Sequence, residues 1–138
     1  MRKNNVLAAR PLLLAMLCAA LALPLAAQAE VRIVSGQSLY QQLKPGMSKA
    51  EIKAICAAIL ERELSSKVAM LDAAQVYLHG KIMGVACGKV DYYRAYALAR
   101  DAGDDFIVRA NLNFIRERAN GGNSKAIAAL AKIEKEGQ

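Results

Sequence analysis

Apolar residues recur at spacings of three and four through residues 48–138, which predicts a run of helices rather than strands. Ile52, Ile55, Cys56, Ile59 and Leu60 form one stripe behind Ser48-Lys49-Ala50-Glu51. That tetrad is a capping box, in which serine and glutamate each satisfy a free backbone N–H of the other's turn. A first helix therefore starts at Ser48, with Cys56 facing the core. Ser65 or Ser66 caps a second helix, which carries Val68, Leu71, Ala74, Val76 and Tyr77 and ends at Gly80. Residues 81–90 read as a loop punctuated by Gly84 and Gly88, with Cys87 inside it. Asp91 caps a third helix, running to about Ala102, on which Tyr92, Ala95, Tyr96 and Ala99 share a face. Asp104 or Asp105 opens a fourth. Its two adjacent stripes, Ile107, Ala110, Phe114 and Val108, Leu112, Ile115, predict burial over a wide arc. After Gly121-Gly122, Asn123 or Ser124 caps a fifth helix with Ala126, Ile127, Leu130 and Ile133. The charged tail, residues 132–138, is expected to fray. The fold class is all-α: about five helices whose short connections imply antiparallel neighbours, arranged as a helix-pair solenoid or a small bundle.

Residues 30–47 form a leader. Val31, Ile33 and Val34 alternate briefly, enough for a short strand but without an evident partner. Leu39, Tyr40 and Leu43 suggest a helical turn that stops at Pro45-Gly46.

The start of the chain has a different character. A basic stretch with Arg2, Lys3 and Arg10 leads into an apolar run at residues 12–23, then Ala27-Gln28-Ala29. This is the layout of a removable secretory signal, with cleavage expected before Glu30. The run is shorter than the roughly 20 apolar residues a membrane-spanning helix needs. Leu17 ahead of Cys18 is larger than the residue that precedes a lipidated cysteine. The remaining 109 residues suit one small domain. They are expected to be periplasmic or secreted, with no membrane span.

Charge and cysteines follow from that division. The chain holds 19 Lys and Arg against 12 Asp and Glu, a net charge of +7. Three of those cations lie in the signal, which leaves the exported part at +4. No nucleic-acid motif or aromatic platform accompanies the charge, so no nucleic-acid partner is expected. Of three cysteines, Cys18 leaves with the signal. Cys56 and Cys87 then form an even pair in an oxidising compartment, and a disulfide between them is expected, with two separate thiols as the alternative. Closing that loop would stabilise the fold by roughly 3 to 4 kcal/mol.

Ala74, Tyr77 and Gly80 stand as A-x-x-Y-x-x-G, Asp91, Arg94 and Ala95 as D-x-x-R-A, and Ala102-Gly103-Asp104 closes the unit. This stretch, residues 68–104, resembles one unit of the Sel-one-like subfamily of tetratricopeptide repeats, with residues 105–136 similar to a degenerate second unit. The loop inside the unit is longer than the family's, and one clear unit is fewer than the roughly three such arrays need. The resemblance implies antiparallel helix pairs and a protein-interaction scaffold with no catalytic residues to transfer.

Candidate chemistry is sparse. His79 is the single histidine. It sits at a helix end, where its cation would interact well with the dipole. Asp101, Asp104 and Asp105 surround Gly103 and read as capping rather than a calcium loop. Glu61 and Glu63 are expected on an exposed helix end. Arg109, Arg116 and Arg118 give the fourth helix a basic side, solvated or facing an acidic partner, with Asp105 four residues from Arg109. Tyr77, Tyr92, Tyr93 and Tyr96 come from one helix pair with Arg94 among them. They form either an aromatic groove for a peptide or glycan, with Arg94 as a carboxylate partner, or the packing between paired helices. Tyr93, Arg94 and Tyr92 are the partner-binding candidates. No catalytic residue, cofactor or metal site is expected. The expected function is a small exported scaffold binding another cell-envelope protein, at this surface or on the concave face of the stacked helices. The alternative is a secreted inhibitor of an envelope enzyme, inserting residues 81–90 as a loop.

Overall fold

The computed structural model describes residues 30–34 and 36–138; the expected signal, residues 1–29, lies outside them. The described chain is all-α in class. A 3-10 turn, Leu39–Gln42, precedes five helices: α1 (Lys49–Glu61), α2 (Lys67–His79), α3 (Tyr92–Asp101), α4 (Asp105–Asn120) and α5 (Ser124–Glu136). Residues 31–34 form no strand.

Each helix begins where a short polar side chain replaces a missing intrahelical partner. The Ser48 hydroxyl accepts from the Glu51 N–H while the Glu51 carboxylate accepts from the Ser48 N–H. Ser66 rather than Ser65 caps α2, Asp91 caps α3, Asp104 rather than Asp105 caps α4, and Asn123 caps α5. The capping oxygen accepts from the N–H three residues on in every case. Each such bond contributes about 1 kcal/mol. Gly80 ends α2 at φ +67, and a Cβ there would sit 2.8 Å from the Val90 side chain. Only glycine fits.

The 81–90 segment is not a plain loop. Strands β1 (Lys81–Ile82) and β2 (Val85–Ala86) pair antiparallel, Ile82 opposite Val85, with Met83 and Gly84 at the tip. The strands are too short for alternation to show in the sequence. Burial of Ile82 and Val85 holds them down, and the Cys56–Cys87 disulfide ties the residue after β2 to α1, with Cα atoms 5.4 Å apart.

α2 and α3 are the most closely packed pair of helices. Ala73, Ala74, Ala95 and Ala99 are fully buried, and alanine lets helix axes approach closely. The Asp91 N–H donates to the Tyr77 carbonyl at 2.9 Å, so α3 starts beside the end of α2 and runs back along it. At Gly103 the chain reverses into α4. Asn111 then donates to the Ala95 carbonyl at 3.2 Å, each eight residues from Gly103. Since α3 runs against both, α2 and α4 run in the same direction. They line one side of the molecule and α3 and α5 the other. One core cluster lies among α1, α2 and the hairpin, around Ile55, Ile59, Val76 and Ile82. A second lies among α3, α4 and α5, around Tyr92, Ile115, Ala126 and Ile133. Tyr77 packs against both.

Three expectations need correction. α4 is not buried over a wide arc: Asn111 and Ile115 are its buried residues, and Phe106 is 71 % exposed. α4 packs on α3 and α5, so its other faces meet no covering element; Ile127 on α5 is likewise exposed. The tail is not frayed through residues 132–136. These are helical, and Glu136 accepts from the Tyr93 hydroxyl at 2.6 Å and from Arg100 at 3.2 Å. Glu63 is not exposed, because it is half-buried in an ion pair with Arg94.

Candidate functional site

Tyr93, Arg94 and Tyr92 do not converge on one contact surface. Tyr92 is 7 % exposed and packs in the second core cluster, tilted against Phe114 at 6.4 Å. Tyr93 is half-buried; its hydroxyl is held by Glu136, and Lys132 Nζ stands 3.5 Å from its ring centre. Bonding to Glu136 raises the Tyr93 phenol and lowers the Glu136 carboxyl. Arg94 pairs with Glu63, which raises its guanidinium. Burial and then the same carboxylate raise the Tyr77 phenol. Tyr96 stacks under Arg100. These side chains join α3 to α5 and to the α1–α2 turn.

The larger concave feature lies elsewhere. An open groove of about 860 Å³ runs between α2 and α4, closed at its sides by the 3-10 turn and the hairpin. Its existence follows from the packing. α2 and α4 each lean on α3, and α3 spaces them apart. Leu71 and Leu78 on α2 face Ile107, Ala110 and Phe114 on α4 across an apolar floor. Gln75 interrupts it with an amide, while Asn111 lies buried beneath it with its amide on the Ala95 carbonyl.

The groove's walls are fixed. Asp72, in the middle of α2, accepts from the Ser38 hydroxyl at 2.6 Å and from the Leu39 N–H at 2.8 Å, pinning the 3-10 turn. Burial raises the Asp72 carboxyl, against the lowering effect of those two bonds. Tyr40 beside it is pushed up to about 12 by burial and then by the Asp72 charge. On the other wall, Met83 stands at φ +47 and Gly84 at φ +78, the two positive angles of a type I′ turn. A non-glycine residue held there is uncommon. Met83 is 53 % exposed and lines the groove.

One end of the groove is cationic. The His79 ring meets Phe114 edge-on at 5.0 Å, and the Arg118 guanidinium lies 4.9 Å from the same ring centre. Lys81 follows one residue after Gly80. Burial first, then Arg118 and Lys81, lower the His79 imidazole. His79 stands in the last turn of α2, as its position suggested, with its ring an edge-on neighbour of Phe114. No ion pair holds Lys81 or Arg118, and Asp105 does not pair with Arg109, among the described residues.

Among the described residues, no group of three or more His, Cys, Asp or Glu is placed to hold a metal, and no helix is long and apolar enough to cross a membrane. Comparison with protein-family models, with curated proteins and with solved structures finds no match.

In the sequence Leu71, Ile107, Ala110 and Phe114 read as core stripes and not as a site. The legible signal was polar: Asp72, Gln75 and Asn111 stand within otherwise apolar helix faces.

Proposed function

We propose that this chain is a small exported helical-repeat scaffold that binds another cell-envelope protein in the groove between α2 and α4. The observation that carries the reading is the groove itself: an apolar floor left uncovered between two helices that run the same way. Apolar floors with a few fixed polar groups are the usual make-up of binding clefts. Rigid walls support it further. The disulfide and the Asp72 tie hold both sides before any partner arrives, which lowers the ordering cost of association. The pairs α2/α3 and α4/α5 fit the repeat reading, as two units stacked in register and capped by α1. Tyr93 and Arg94 then serve this scaffold by joining its helices, and the partner surface moves to the concave face.

The test is partner binding by the exported chain and by Ala110→Trp, which fills the groove from an exposed position on α4. Loss of the partner by this variant, with an unchanged thermal melt, supports the reading. Equal binding by both proteins overturns it.

A second reading is favoured by the hairpin. Met83 sits exposed on a tip anchored by two buried residues and a disulfide, as an inhibitor of an envelope enzyme would present an inserting side chain. Met83→Asn keeps the turn, since asparagine tolerates positive φ, and removes the side chain. Inhibition of a cell-wall hydrolase that disappears in Met83→Asn but survives in Ala110→Trp would favour the inhibitor.

A further inference from the structure

We propose that the segment seated in the groove is acidic as well as apolar, with a carboxylate side chain placed at the end where α2 and α4 finish. This deepens the scaffold reading and rests on it. Charge complementarity points to it. At that end Arg118 stacks on Phe114 and Lys81 enters the groove lining beside His79. Neither cation has a carboxylate partner among the described residues. The two acids that line the groove are committed elsewhere. Asp72 is bonded to Ser38 and Leu39, and Asp104 caps α4 through the Ile107 N–H. The cationic end is therefore uncompensated. The fall in the His79 imidazole has the same origin in part, because two like charges face it. An incoming carboxylate would relieve that repulsion while its neighbours cover Ile107, Ala110 and Phe114.

A peptide segment fits better than a fatty acid or lipid. Gln75 is half-buried on the floor, and its amide matches the alternating donors and acceptors of a peptide backbone. An acyl chain would leave that amide facing hydrocarbon, which is costly.

The experiment pans a displayed library of random linear peptides against residues 30–138 and measures binding of the enriched peptide by calorimetry. Two variants carry the same charge change. Lys81→Glu, in the groove lining, with Arg118→Glu, which stands on the lining residue Phe114, alters the groove end. Arg109→Glu with Arg116→Glu alters exposed positions of α4 that neither line the groove nor stack on a residue that does. The expected result is a peptide with apolar residues and an Asp or Glu, bound about tenfold more weakly by the first variant and equally by the second. The single histidine gives a second readout, since its NMR titration midpoint rises when that peptide is bound. Enriched peptides that need the open groove, shown by loss in Ala110→Trp, but carry no acid would overturn the charge assignment and leave the scaffold reading standing. Enrichment of nothing that depends on the groove would overturn both. If laurate alone, tried in parallel, raises the His79 midpoint while no enriched peptide does, a lipid replaces the protein segment and the proposal fails.

Discussion

Removing the Cys56–Cys87 bond should cost this domain a large part of its stability. The cysteines are separated by 31 residues. The chain-entropy relation for a loop of that length gives about 12 cal/mol/K, or about 3.7 kcal/mol at 25 °C. The native state adds a smaller loss. Cys56 is buried among Ile52, Ile55 and Ile59, so Cys56→Ala leaves a space the size of one sulfur, and about 1 kcal/mol is a fair allowance. The expected total is about 4 to 5 kcal/mol, against a typical stability of about 5 to 15 for a whole domain. The assay is urea unfolding followed by circular dichroism on residues 30–138, comparing the oxidised protein with Cys56→Ala/Cys87→Ala. The variant should unfold at markedly lower urea and with a steeper slope, because its unlinked unfolded chain exposes more surface. A loss under about 1 kcal/mol with an unchanged slope would refute the reasoning. It would mean that burial of Ile82 and Val85 alone pins the hairpin and that the bond closes no loop the unfolded chain would otherwise open.

Further outcomes can be checked in the same way. Asp72→Ala strands the buried Leu39 N–H and should cost about 1.5 to 3 kcal/mol, whereas Asp72→Asn, which still accepts from Leu39 and can donate to Ser38, should stay within about 0.5 kcal/mol at neutral pH. The two titrating groups of the groove wall act with opposite sign. The folded Asp72 carboxyl lies above its unfolded value, so the fold holds that proton more tightly and gains from this group as pH falls through the folded value. The folded His79 imidazole lies below its ordinary 6.5, so acidification through that region charges His79 in the unfolded chain first and lowers stability. Urea midpoints of wild type, Asp72→Asn and His79→Phe between neutral and acid pH should separate these slopes. Met83→Asn should raise the urea midpoint, with a gain in stability of up to about 1 kcal/mol, since asparagine adopts positive φ more readily than methionine; a lower midpoint would mean that Met83 packs rather than presents itself. Arg94→Met leaves the half-buried Glu63 without its cation and should lose more stability than Glu63→Gln with Arg94→Met together.

The helices were legible because their causes are local. The capping box at Ser48, the cap at Asp91 and the glycines after α2 and α3 are set by a few adjacent residues. The Cys56–Cys87 pairing was legible from the cysteine count, since two remain once Cys18 is set aside with the signal. What was not legible depends on which helices face one another. Ile107, Ala110 and Phe114 form as good a core stripe as Ile52, Ile55 and Ile59, yet they line a groove, because α3 spaces α4 from α2. The same cause left Phe106 exposed and brought Glu136 onto Tyr93 and Arg100, which ordered a tail whose charges suggested fraying. Tyr93 and Arg94 were legible as noteworthy, but their partners Glu136 and Glu63 are distant in sequence, so their joining role emerged with the fold. The groove itself had a faint signature in Asp72, Gln75 and Asn111, polar residues that an ordinary helical core would exclude.

The central claim is that the α2–α4 groove is the partner-binding face. Site-specific photocrosslinking in the cells that make the protein tests it most directly, with the crosslinker placed at Ala110 in the groove or at exposed Ala131 on α5. The account predicts one discrete adduct from Ala110, mapped by peptide sequencing to a single segment of an exported protein, and none from Ala131. The same adduct from both positions, or none from Ala110, would contradict it.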